Sequence, residues 1–182
     1  GVTFTVYNKA TGEEVTSIGA EVEGDKAEAE WYASDPREKD DRNELKYYFL
    51  VTANRAKECK SSDIQVKNPR VVSMAWDKKA AFWGEEVELT INTFEMDDLQ
   101  PDCTVNIWEE EIENPDKLIL SSDITLDKEE VKIKLTIDFS LKDVSKFDFD
   151  DDYRLYAVIS IDKLGKYFRQ QKENYILISN DI

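Results

Sequence analysis

Apolar and polar residues alternate with a period of two along most of this chain. Val2, Phe4 and Val6 stand on one face of an extended segment, and Thr3, Thr5 and Tyr7 stand on the other. The alternation returns in Ala27, Ala29 and Trp31 between Lys26, Glu28 and Glu30, and in Val87, Leu89 and Ile91. It returns again in Val131, Ile133, Leu135 and Ile137 between lysines and threonines. No segment of comparable length carries a helical stripe, so the pattern predicts an all-β fold.

The strand pattern also repeats in order. Residues 2–7 answer to 103–108, 26–31 to 132–137, 45–51 to 153–159 and 63–66 to 175–178. Four matched segments in one order mark two related units. The second has additional extended segments in front: residues 71–76, then a turn through Ala80 and Ala81 to Gly84, then residues 86–93. The joint is Lys67-Asn-Pro-Arg70, where Pro69 cannot donate a ladder hydrogen bond and suits a boundary. We therefore expect two units, residues 1–68 and residues 69–182.

Unit two reads as seven strands over about 110 residues, the size and strand number of an immunoglobulin-like sandwich. Tyr153 falls near the start of the sixth strand, where a tyrosine corner lies in such folds; unit one has Leu45 there. The expectation is a tandem of immunoglobulin-like β-sandwiches, the first lacking its N-terminal strands. A sandwich without those strands exposes edges, and open edges pair, so homodimerisation through unit one is expected.

Composition sharpens this picture. The 182 residues include 8 Phe, 8 Tyr and 4 Trp, enough for a packed core. With 40 acidic and 24 basic residues the formal charge is −16, which repels phosphate backbones and anionic headgroups. Neither nucleic acid nor membrane insertion is expected, and no run reaches the roughly 18 apolar residues of a membrane span. The field favours solubility and a basic protein partner. Cys59 and Cys103 lie in different units and are read as free thiols, Cys103 as a small core residue and Cys59 near a hairpin tip.

The run Met74-Ala-Trp-Asp-Lys-Lys-Ala-Ala-Phe-Trp-Gly-Glu-Glu-Val-Glu-Leu89 resembles the opening strands of immunoglobulin-like repeats in bacterial proteins linked to type VI secretion spikes and phage-tail-like machines. Gly24 to Trp31, Tyr47 to Val51, and Cys103 to Trp108 with its acidic tail Glu109-Glu-Glu111 are similar to later strands of that family. Met74-Ala and Asp77 depart from its pattern. The resemblance implies a carrier or connecting module, with partners among other domains of the same polypeptide and secretion or tail components. It also implies synthesis in the bacterial cytoplasm and export by a contractile machine. It transfers no catalytic residue.

The chain has no histidine, which removes Ser-His-Asp and Cys-His arrangements and the common His-bearing zinc sites. Six glycines form neither a dinucleotide fingerprint nor a phosphate loop, so no cofactor is expected. Asp148, Asp150, Asp151 and Asp152 form the one acidic run that invites a hard cation, but without the spacing of a twelve-residue calcium loop. It is read as a solvated loop anchored by Phe147 and Phe149, and Asp97-Asp98 beside Gln100-Pro101 as a turn. Trp31 is read as inward-facing. Trp108 falls opposite Cys103, Val105 and Ile107 and is expected to be exposed; with Trp83 it is the candidate binding face. The leading functional expectation is a non-catalytic spacer or docking module, followed by a protein- or glycan-binding module and a calcium-stiffened adhesin repeat.

Overall fold

Alternation becomes pairing in the computed structural model, which describes residues 1–38, 41–54, 56–96, 98–111, 115–138 and 153–179. Strands dominate, and the helical elements among the described residues are two single 3-10 turns, Asp162–Leu164 and Lys172–Asn174. The chain divides into two compact units, Gly1–Asn68 and Pro69–Ile182.

Unit one holds β1 (Val2–Asn8), β2 (Glu14–Ala20), β3 (Leu45–Ala53), β4 (Cys59–Lys60) and β5 (Ile64–Val66). They form one antiparallel sheet in the order β2-β1-β3-β4, with β5 also paired to β3. The first hairpin closes because Asn8 and Gly12 supply its turn chemistry. The Asn8 side-chain oxygen accepts the Ala10 N–H at 2.8 Å, and Gly12, at φ 72°, donates to the Asn8 carbonyl at 2.8 Å. Val6, Leu45 and Tyr47 are buried on the inner face, with Trp31, Phe49 and Val66 packed against them. Trp31 meets Tyr47 and Phe49 edge-on at 4.9 and 5.7 Å, so it faces inward.

Unit two begins with β6 (Arg70–Trp76), β7 (Ala80–Phe82), β8 (Glu86–Phe94) and β9 (Asp102–Glu109). It continues with β10 (Lys117–Thr125), β11 (Glu130–Thr136), β12 (Tyr153–Ile161), β13 (Lys166–Arg169) and β14 (Ile176–Ser179). One sheet runs β10-β9-β12-β14-β7 with β13 on β12, and a second runs β11-β8-β6. Val87, Leu89 and Ile91 from the second sheet share one core with Val105, Ile107, Leu155 and Ile159 from the first. Leu89, Ile91, Ile107 and Ile159 have no exposed surface, and each such side chain contributes about 1.5–3 kcal/mol relative to solvent. Gln170 is 3% exposed and joins the sheets: its side-chain oxygen accepts from Trp76 Nε1 and Ala157 N, and its nitrogen donates to the Met74 and Asn174 carbonyls. Gly84 takes φ 82° in the turn before β8 and donates to the Ile137 carbonyl at 2.9 Å.

Several expectations change here. Ala80 and Ala81 are not a turn: β7 pairs in parallel with β14, so the chain crosses from one sheet to the other between Trp76 and Ala80. Unit two has nine strands among the described residues rather than seven. β2, β10 and β13, which the alternation did not single out, each pair with one neighbour among the described residues. Residues 26–31 form no strand beyond a single bridge between Glu23 and Lys26. Their counterpart β11 is held by β8, and among the described residues unit one has no strand in the place of β8. An extended segment without a neighbour leaves its N–H and C=O groups to water, and nothing fixes it as a strand.

Candidate functional site

The same strand registers occur in both units. Val6 faces Phe49 as Ile107 faces Ala157, and Leu45 faces Val66 as Tyr153 faces Ile178. Leu50 faces Lys60 as Val158 faces Arg169. Residues one step along the strands point to the opposite, outer face. There, Tyr7 stands across from Tyr48 in unit one, and Trp108 across from Tyr156 in unit two.

Each outer pair is capped by a cation. Tyr7 and Tyr48 stack at 5.3 Å, and Lys60 Nζ lies 3.6 Å from the centre of the Tyr48 ring. In unit two the Arg169 guanidinium lies 3.9 Å from the centre of the Tyr156 ring, which also stacks on Tyr175 at 4.9 Å. Cation over ring is an attraction of about 0.5–2 kcal/mol, larger as the pair is desolvated.

Asp116 completes the group in unit two. Its Oδ2 accepts the Tyr156 hydroxyl at 2.6 Å and Arg169 Nη2 at 3.3 Å, and its Oδ1 accepts the Glu111 N–H at 3.2 Å. The Tyr156 bond, followed by the Glu111 amide and the Arg169 charge, holds the Asp116 carboxyl below its usual range. Burial, reinforced by the bond to Asp116, raises the Tyr156 phenol well above its usual range. Arg169 Nε also donates to the Tyr175 hydroxyl at 3.1 Å. Beside this group Lys172 pairs with Glu110 at 2.6 Å. With the phenol held protonated and the carboxyl held ionised, neither exchanges a proton near neutral pH, and the buried Tyr156 and Tyr175 rings stack on each other.

The sequence singled out Trp108 but not its neighbours. Trp108 is half-buried, not exposed, because it lies between Tyr156 on β12 and Leu118 on β10. Leu118 is 44% exposed and extends the apolar strip toward the sheet edge. Tyr156, Arg169, Tyr175 and Asp116 come from four separate segments, so no local motif could have found them. Trp83 stands apart: it is half-buried and packs edge-on against Tyr153 at 5.6 Å. Tyr153 opens β12 and is buried.

Elsewhere in unit two a hollow is lined by Asp102, Cys103, Asp123, Ser160 and Asp162. Its Asp123 and Asp102 carboxylates accept hydroxyls from Thr104 and Thr125, each at 3.0 Å. Burial pushes the Cys103 thiol up to about 11, so it is protonated at neutral pH. Among the described residues no group of three or more His, Cys, Asp or Glu side chains is arranged to hold a metal ion. The run Asp148, Asp150, Asp151 and Asp152, with Phe147 and Phe149, lies outside the described residues, as does Asp97; Asp98 and Leu99 form a turn.

No protein-family model matches the chain, and no curated protein matches it. Among solved structures, it is similar over 63% of its length to a β-glucosidase from Listeria innocua in complex with glucose, at 14% identity and a TM-score of 0.32. The same enzyme in complex with gluconolactone is similar at 12% identity and a TM-score of 0.32. The chain spans 16% of the length of either enzyme.

Proposed function

We propose that this chain is a tandem of immunoglobulin-like β-sandwich units, the first without its opening strands, that serves as a non-catalytic spacer and docking module of a larger bacterial protein. The observation that carries this reading is the coincidence of strand order and register between β1-β3-β5 and β9-β12-β14. Two units of one plan, joined through Pro69, suit a series of stiff modules. The resemblance of residues 74–89 to repeats in secretion-spike and phage-tail-like proteins supplies the setting: other domains of the same polypeptide, and tail or secretion components, as partners. Backbone nitrogen relaxation on the intact chain tests the spacer role. A single tumbling time for both units is the expected result, and two independent times would overturn it.

A second reading is favoured by one observation: half-buried Trp108 and exposed Leu118 stand side by side on the outer face of unit two, next to the covered Tyr156. A partner that stacks on aromatic rings, protein or glycan, would dock there. Trp108→Ala should then abolish capture of tail components by the intact chain while leaving its circular dichroism unchanged. Equal capture by both forms would remove this face from consideration.

A further inference from the structure

Strand β2 stands at the end of its sheet and, among the described residues, pairs with β1 alone. A bulge at Val15 interrupts its start, since Tyr7 pairs with Glu14 and Val6 with Thr16. What remains is a five-residue open ladder, Thr16, Ser17, Ile18, Gly19 and Ala20, with no charge and no proline.

The other long edges among the described residues are guarded, β6 by Arg70 and a break in register between Val71 and Ser73. β11 carries Glu130, Lys132 and Lys134; β10 carries a break in register between Leu118 and Leu120 and then Asp123. Charges and bulges of this kind are what keep edges from pairing with another chain, and residues 16–20 lack them.

We propose that the Thr16–Ala20 edge pairs antiparallel with the same edge of a second copy of this chain, about a two-fold axis at Ile18. Two features fit a second copy. In this register Ser17 faces Gly19 of the other copy on the outer side; both are exposed, and the space over Gly19 is open, with nothing within 4 Å of where a Cβ would stand. On the inner side Ile18 meets Ile18, which joins two half-buried strips made of Val2, Phe4, Ile18 and Ala20. Charge is the opposing contribution: Glu13, Glu14, Glu21 and Glu23 flank the ladder, and the two-fold register sets those of one copy against those of the other. Raised salt screens that repulsion and should strengthen the pairing. A two-fold pairing of this kind is self-complementary and closes at two copies. It stands apart from the spacer reading, which concerns the units within one chain.

The test is sedimentation equilibrium of the intact chain across a concentration series. The wild type should show a monomer–dimer equilibrium. The doubly substituted S17K/G19K and S17E/G19E chains, both altered only on the exposed face, should each be monomeric, because lysine then faces lysine and glutamate faces glutamate. Mixing the two should restore the dimer. Register is read separately in a Cys59→Ser background: Ile18→Cys should cross-link across the axis under oxidation, since directly opposed residues lie about 4.5–5.5 Å apart and a disulfide spans that distance. Ser17→Cys, facing Gly19, should cross-link far less. A wild type that stays monomeric throughout, or charge variants that associate as the wild type does, would overturn the proposal. Equal cross-linking at both positions would overturn the register.

Discussion

The indole nitrogen of Trp76 on β6 donates a 3.1 Å hydrogen bond to the side-chain oxygen of Gln170, a residue 94 positions further along the chain and held against the opposite sheet. Gln170 is buried and uses all of its side chain: Ala157 also donates to its oxygen, and its nitrogen reaches two carbonyls, Met74 at 3.2 Å and Asn174 at 2.7 Å. One amide thus ties the two sheets of unit two at a fixed spacing.

Gln170→Leu should remove this tie while keeping most of the volume. It leaves the Trp76 and Ala157 donors and two carbonyls inside without those bonds, each costing about 1–3 kcal/mol when nothing replaces it. With partial relaxation, a loss of about 3 kcal/mol in unit two is expected. Urea unfolding followed by tryptophan fluorescence checks it; a midpoint shift smaller than that of an exposed control such as Ser121→Ala would show that the amide is dispensable.

Acid should weaken unit one as pH falls through the usual carboxylate range and below it. Asp35 and Arg37 pair at 2.7 Å with side chains 9% and 4% exposed, and the Arg37 hydrogen bond holds the Asp35 carboxyl at about 2. A carboxyl depressed in the folded state contributes stability that is complete above its unfolded value near 4 and is lost as pH falls through about 2. Allowing for solvent screening, the contribution is on the order of 1 kcal/mol. Asp35→Asn should lower stability at pH 6 and flatten the dependence between pH 4 and pH 2, read by denaturant titration at each pH.

The two thiols should differ sharply. Cys59 is exposed on β4, whereas Cys103 is buried, protonated at neutral pH and directed at the Pro101 carbonyl 3.2 Å away. An aromatic disulfide reagent should label one thiol per native chain and two after unfolding. Rapid labelling of both in the native protein would contradict the packing of β9.

Tyr156 should be silent in an alkaline titration. Burial and its bond to Asp116 keep the phenol protonated beyond the range in which exposed tyrosines ionise, near pH 10. Tyr156→Phe should therefore leave the absorbance change through that range intact, and Asp116→Asn should bring the Tyr156 transition down toward it.

The all-β character of the chain was legible because alternation is local: β1, β8, β9 and β11 all follow the period of two read in the sequence. The inward direction of Trp31 and the burial of Cys103 followed from the same pattern. Two edge strands, β2 and β10, were not legible. β2, with its Thr-Ser-Ile-Gly-Ala run, has few apolar positions to stand out, and in β10 the break in register sets Leu118, Ile119 and Leu120 in a row that does not alternate.

What the sequence by itself determined is which side chains share a face and in what order the extended segments come, because the period of a strand is a property of neighbouring residues. What only the tertiary structure decided is which segment finds a partner. Residues 26–31 alternate as cleanly as β11 yet form no strand, whereas Ala80–Phe82, read as a turn, is a strand because β14 lies beside it. The same holds for the outer face of unit two, where Asp116, Tyr156, Arg169 and Tyr175 meet across 59 positions of sequence through the pairing of β9, β12 and β13. Hydrogen bonds between strands join residues that are remote in the chain, so no local pattern can encode them.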